Sequence, residues 1–203
     1  MQNKPDISLE VELTGQGFHA VAGVDEAGRG PLAGPVVAAA VILPQGWQDP
    51  GVNDSKKLSQ RMREHCFEII INTTVHAWGM VSPAEIDEIN IHQASLLAMR
   101  RAVEALSPDY LLLDGRFTIP NLLLPQQALV KGDGRSCSIA AASILAKVRR
   151  DHIMQKLHEK HPAYNFAANK GYPTKQHLQA LHEAGPCAEH RKSYGPVANL
   201  NLF

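Results

Sequence analysis

The stretch from Val21 to Leu43 limits the possible folds more than any other part of the chain. A short apolar run, Val21-Ala22-Gly23-Val24, ends in the adjacent carboxylates Asp25 and Glu26. Gly28-Arg29-Gly30 follows, then Gly34-Pro35, and at once a second, valine-rich run from Val36 to Leu43. Two strands joined this closely leave no room for a crossover helix, so they pair antiparallel. Acids at the lip of a buried strand suit hard divalent cations. The Gly-Arg-Gly turn sets exposed backbone and one guanidinium beside them, which suits close approach of a sugar or phosphate.

The remaining elements follow from spacing. Leu58, Met62, Cys66, Ile69 and Ile70 recur at helical intervals, and Val75–Val81 reads as a third strand. Ser82-Pro83-Ala84-Glu85 is a capping box with proline at the first helical position, opening a helix to about Leu106 with a break near Asn90. Asp109–Asp114 and Gln127–Lys131 read as strands, 136–160 as an alanine-rich helix, 161–173 as a loop, and 174–184 as a helix stopped by Gly185-Pro186. Residues 1–17 read as a loose or weakly paired start, and 187–203 have little pattern. The expected class is α/β: a five-stranded mixed sheet flanked by helices, with a C-terminal helical extension, in one domain over 1–203. At 203 residues such a domain buries about 70% of its unfolded surface.

Composition narrows the setting. No apolar run is long enough to span a bilayer, and the polar start Met1-Gln2-Asn3-Lys4-Pro5-Asp6 lacks a secretory core. Cys66, Cys137 and Cys187 are odd in number and far apart, which points to thiols in a reducing, cytoplasmic compartment. Net charge is zero, but its distribution is uneven. Residues 1–130 hold 9 Lys+Arg against 15 Asp+Glu, and residues 131–203 hold 11 against 5. This asymmetry either sets anion-binding groups beside a metal-binding cluster or is ordinary scatter of solvated charge.

Three further acids stand out. Asp114 closes the run Tyr110-Leu111-Leu112-Leu113, Asp133 follows Val130-Lys131-Gly132, and Asp151 lies in the long helix. Asp25, Asp114 and Asp133 each sit just after a hydrophobic strand, and strand ends in an open sheet gather round one crevice. Asp114-Gly115 and Asp133-Gly134 are also plain turn signals. Two carboxylates ~4 Å apart repel by about 4 kcal/mol at an effective dielectric of 20, which a divalent cation relieves. Oxygen-only ligands favour Mg²⁺ or Mn²⁺ over Zn²⁺, and a pair of such ions can clamp a phosphodiester for in-line attack by water.

Two rivals compete. Gly28-Arg29-Gly30-Pro31-Leu32-Ala33 fits a dinucleotide fingerprint, but a strand follows where that motif needs a helix. A non-catalytic nucleic-acid module would explain Arg29, Tyr172 and the basic last third, yet has no need of acids at strand ends. No Gly-Lys-Ser/Thr phosphate loop occurs, and the ten histidines include no His-Glu-x-x-His.

Taken together, the motifs resemble the ribonuclease HII family, the type 2 ribonucleases H. The resemblance rests on Gly23–Leu32, Asn53-Asp54-Ser55-Lys56-Lys57-Leu58, Ile86–Ile91, Leu113-Asp114-Gly115, Lys131-Gly132-Asp133, Ala141–Asp151, Lys170-Gly171-Tyr172-Pro173-Thr174 and His190–Val197. These follow the family's order across about residues 20–200. Gly134 and Arg116 depart from it, where serine and asparagine are common. The related type 3 enzymes carry an extra N-terminal domain, for which the roughly 18 residues before the first strand leave no room.

The resemblance implies a ribonuclease H-like fold and a metal-dependent endoribonuclease. It implies cleavage of RNA in RNA–DNA hybrids and incision 5′ to a single ribonucleotide in duplex DNA, leaving 3′-hydroxyl and 5′-phosphate ends. That incision starts ribonucleotide excision repair. Asp25, Glu26, Asp114 and Asp133 become the catalytic carboxylates and the ligands of Mn²⁺ or Mg²⁺. Gly28, Arg29 and Gly30 read the ribonucleotide, and Tyr172, in a C-terminal segment 161–203 that meets substrate, lies by its 2′-hydroxyl. Asn53, Ser55, Lys56, Ser143 and Lys147 hold DNA phosphates, while Asp151 pairs with Lys147. No membrane and no organic cofactor are expected.

Overall fold

A computed structural model of the chain describes residues 4–55 and 58–200. Its five strands are β1 (Val21–Ala27), β2 (Val36–Ile42), β3 (Val75–Val81), β4 (Tyr110–Asp114) and β5 (Gln126–Leu129). They form one sheet in the order β3-β2-β1-β4-β5. β1–β2 and β2–β3 are antiparallel, as the short connections require, whereas β4 and β5 run parallel to β1. The C-terminal ends of β1, β4 and β5 therefore share one edge.

Two long helices cover the faces: α3 (Pro83–Glu104) on one and α4 (Cys137–Lys160) on the other, while α1 (Ser8–Gly15) and α2 (Gln60–Thr73) lie outside. The two-residue period of β2 sorts its side chains. Val36, Ala38 and Ala40 meet Ala94, Ala98 and Ala102 of α3, and Ala39 and Val41 meet Ala140, Ala141 and Ile144 of α4. A strand buried on both faces reads as an unbroken apolar run. α4 comes very close to β1: a Cβ at Gly23 would lie 2.2 Å from the Ser138 carbonyl carbon. The capping box at Ser82 forms as read. α3 breaks at Asn90 (φ 65°), whose side-chain oxygen accepts the N–H groups of His92 and Gln93 and restarts the helix.

Several expectations need correction. Within the start read as loose, residues 8–15 are helical. Glu10 Oε1 anchors α1 by accepting from Ser136 Oγ (2.6 Å), Ser138 N (2.9 Å) and Ser138 Oγ (2.6 Å), partners more than 120 positions away. Asp25 lies within β1 rather than beyond it, since β1 runs two residues further to pair Ala27 with Val37. β5 starts and stops earlier than read. The stretch 161–173 holds a 3₁₀ turn at Pro162–Tyr164 and α5 (Phe166–Asn169). After α6 (Lys175–Ala184), the tail forms α7 (Gly195–Ala198). These last pieces share a small core built on Tyr164, Phe166 and Leu181.

Candidate active site

Asp25 and Glu26 lie near the end of β1, Asp114 is the last residue of β4, and Asp133 sits in the 3₁₀ turn Gly132–Gly134 after β5. All four line one cleft of about 240 Å³, together with the Gly28-Arg29-Gly30 loop, Ser55, Ser143, Lys147 and Tyr172. Strand alternation makes Asp25 and Glu26 straddle the sheet: Asp25 continues Gly23 on the α4 side, and Glu26 continues Val24 on the α3 side. Asp114 Oδ1 accepts the Gly132 N–H at 2.7 Å, which ties the end of β4 to the turn carrying Asp133.

Electrostatics single out Asp25. Burial, then the Glu26 and Asp114 carboxylates, hold its carboxyl well above the usual range, while a hydrogen bond from Ser143 and the Glu26 N–H only partly offset this. Glu26 is also raised, chiefly by burial; Arg29, 3.1 Å away, works against the shift. Among the described residues, no three acids, histidines or cysteines are drawn into a closed cage; the carboxylates share a cleft instead. The donor chemistry still fits a hard divalent cation. Every acid here offers oxygen, the lining includes no thiol or imidazole, and a buried carboxylate crowded by two others is stabilised by added positive charge.

The loop beside the acids is held from beneath. Gly28 has φ +101°, and a Cβ there would lie 2.1 Å from Arg150 Nε, so glycine is required twice over. Arg191 donates to the carbonyls of Gly28 (2.6 Å), Arg29 (3.0 Å) and Gly34. Arg150 donates to those of Ala33 (3.1 Å), Pro35 (3.0 Å) and Lys170 (3.0 Å). Tyr172 is 46% exposed, so it is not a core tyrosine, and a Cβ at Gly30 would sit 3.5 Å from its ring.

Other expected positions divide. Ser143 Oγ and Ser55 Oγ lie 3.1 Å apart, and both residues face the cleft. Lys147 also lines it and pairs with Asp151 at 2.5 Å. Asn53 does not join the wall; its side-chain oxygen accepts the Asp54 N–H. Lys56 lies outside the described residues. Sequence reading missed Arg150, Arg191 and the buried pair His177–His190. A signal existed for Arg150: it falls on the stripe Ser143, Ala146, Met154, Leu157 that buries against the fold, where a charge demands a reason.

A five-stranded mixed sheet with acids at the shared ends of β1, β4 and β5 defines a ribonuclease H-like nuclease. The family model for ribonuclease HII matches residues 22–195, and the chain belongs to that family. It is thus a hydrolase of the ribonuclease H type. Ribonuclease HII of Geobacter metallireducens is 59% identical over 193 residues, covering 94% of this chain and 90% of that one. The ribonuclease H2 structure from Pyrococcus horikoshii OT3 matches with TM-score 0.74 and 26% identity, over 91% of this chain and 98% of that one. The ribonuclease HII of Archaeoglobus fulgidus, solved in complex with PCNA, matches with TM-score 0.74 and 30% identity, over 87% and 95%.

Proposed function

We propose that this enzyme cuts the RNA strand of RNA–DNA hybrids and incises 5′ to single ribonucleotides in duplex DNA, leaving 3′-hydroxyl and 5′-phosphate ends. The observation that carries this reading is one cleft joining four carboxylates to a Gly-Arg-Gly backbone loop and an exposed tyrosine.

Asp25, Glu26, Asp114 and Asp133 hold Mn²⁺ or Mg²⁺, which when bound activates water and offsets phosphate charge. The 2′-hydroxyl distinguishes RNA from DNA at a given site. Gly28 and Gly30 put backbone donors and acceptors within its reach without an intervening side chain. Arg29, half exposed and paired with Glu26, stands where a phosphate or sugar passes. Tyr172 offers a flat face to the ribose and its neighbour. Ser55, Ser143 and Lys147 contact backbone phosphates, which position the duplex without reading its sequence. Asn53 and Lys56 belong with them; the Asn53 side-chain oxygen accepts the Asp54 N–H, which leaves its amide nitrogen to donate.

Residues 1–203 act as one catalytic domain, with segment 161–203 delivering Tyr172. The enzyme works in the cytoplasm and starts ribonucleotide excision repair; no helix among its described residues is long and apolar enough to cross a membrane. A nick assay with Mn²⁺ on duplex DNA bearing one ribonucleotide tests this. The expected product is a single cut 5′ to the ribonucleotide, with all-DNA duplex intact. Retention of the substrate uncut would favour a binding module.

A further inference from the structure

His177 and His190 are both buried, yet neither lines the cleft. His177 Nδ1 lies 2.9 Å from the Tyr172 carbonyl oxygen, and His177 Nε2 lies 3.0 Å from His190 Nε2. His190 Nδ1 lies 3.0 Å from the Cys187 N–H nitrogen and 3.2 Å from Cys187 Sγ. A carbonyl can only accept and a backbone N–H can only donate, so the protons fall in one arrangement. His177 carries its proton on Nδ1 and donates to Tyr172. Its bare Nε2 accepts from the Nε2–H of His190, whose bare Nδ1 accepts from Cys187. Every ring nitrogen is satisfied with two protons on two neutral rings.

We propose that the His177–His190–Cys187 chain is a positioning device for Tyr172, fixing the backbone from which that ring faces the ribose. It rests on the role given to Tyr172 above. The surroundings favour the arrangement. His190 packs edge-on to Tyr164 (centroids 4.7 Å apart) and His177 edge-on to Phe166 (5.4 Å), so neither ring is free to flip. Thr174 N–H donates to the same Tyr172 carbonyl at 2.8 Å, and Tyr172 N–H donates to Asn169 O at 2.9 Å. The Tyr172 backbone is therefore held on both sides, and His177 supplies the only side-chain contact to that carbonyl among the described residues. Burial keeps both imidazoles below their usual range, hence neutral at pH 7. The titratable groups facing them are Tyr164, Cys187 and His161. A proton added to His177 would set N–H against N–H at the 3.0 Å contact between the rings, and one added to His190 Nδ1 would oppose the Cys187 N–H.

The test is a double-mutant cycle on incision at a single embedded ribonucleotide, using the full chain with Mn²⁺. His177→Phe removes the donor and should lower kcat/KM about 3- to 10-fold. His177→Asn keeps a donor near the Nδ1 position and should restore most of that loss. In a Tyr172→Ala background, His177→Phe should change nothing further, since residues acting through one another do not add. Additive losses, or an unaffected His177→Phe, would overturn the proposal. An unaffected Tyr172→Ala is a different failure: it removes the role of Tyr172 itself. Should His177→Phe not fold, nitrogen-15 NMR of the wild-type histidines carries the test. His177 as the Nδ1–H form and His190 as the Nε2–H form at pH 7 supports the chain; the opposite forms, or imidazolium, refute it.

Discussion

Arg150 and Arg191 lie together under the Gly28–Pro35 loop, and neither forms an ion pair among the described residues. Burial, and then the charge of Arg191, pushes Arg150 down to about 10. Both guanidiniums donate to backbone carbonyls, and Arg191 donates to the Tyr194 hydroxyl as well (3.0 Å). Through Lys170 O, Arg150 also links the loop beside the acids to the segment bearing Tyr172.

Arg191→Lys should therefore cost stability, because one ammonium cannot reach the Gly28, Arg29 and Gly34 carbonyls in a fork. A lost hydrogen bond to a charged group costs about 1.5–3 kcal/mol. Urea unfolding should show a lower midpoint with an unchanged slope. An unchanged midpoint would show that the guanidinium contacts contribute little.

Asp25→Asn should abolish cleavage while leaving the fold intact, and it should raise the stability of the metal-free protein by roughly 0.5–2 kcal/mol. The sign follows from the raised carboxyl of Asp25. The folded state holds that proton more tightly than the unfolded chain, so metal-free stability falls as pH rises from the unfolded value near 3.8 through the folded one. The amide carries no charge and escapes this. Denaturation with chelator present measures it; a less stable variant would contradict the crowding of Asp25.

Tyr172→Ala should slow incision at a lone ribonucleotide, since an aromatic platform contributes about 1–3 kcal/mol. Single-turnover rates on that substrate give the answer. Rates equal to wild type would exclude Tyr172 from the ribose site.

Acid should weaken the C-terminal core. Burial, with His177 beside it, lowers His190 from 6.5 to about 4. The unfolded chain binds the extra proton, so this contribution is whole above pH 6.5 and disappears as pH falls towards 4. Its size is on the order of 3 kcal/mol. Comparing His190→Asn with wild type across that window should give a shallower loss for the variant; parallel curves would mean His190 is already charged.

What was legible in the chain was what local pattern encodes. The antiparallel β1–β2 pair followed from a connection too short for a helix, the α3 start from Ser82-Pro83-Ala84-Glu85, and the gathering of Asp25, Asp114 and Asp133 from their places at strand ends. Contacts made across the sequence left little local trace. α1 is held by Glu10 reaching Ser136 and Ser138, and its own apolar periodicity is weak. Nothing at a spacing of 13 announces that the His177 and His190 rings meet.

The central claim is that separate carboxylates meet to hold a divalent cation. Titrating Mn²⁺ into the protein by calorimetry, with wild type beside Asp25→Asn and Asp114→Asn, tests it most directly. Saturable uptake by wild type that is lost or sharply weakened in both variants is the predicted result. Equal uptake by all three proteins would place the metal elsewhere and contradict the account.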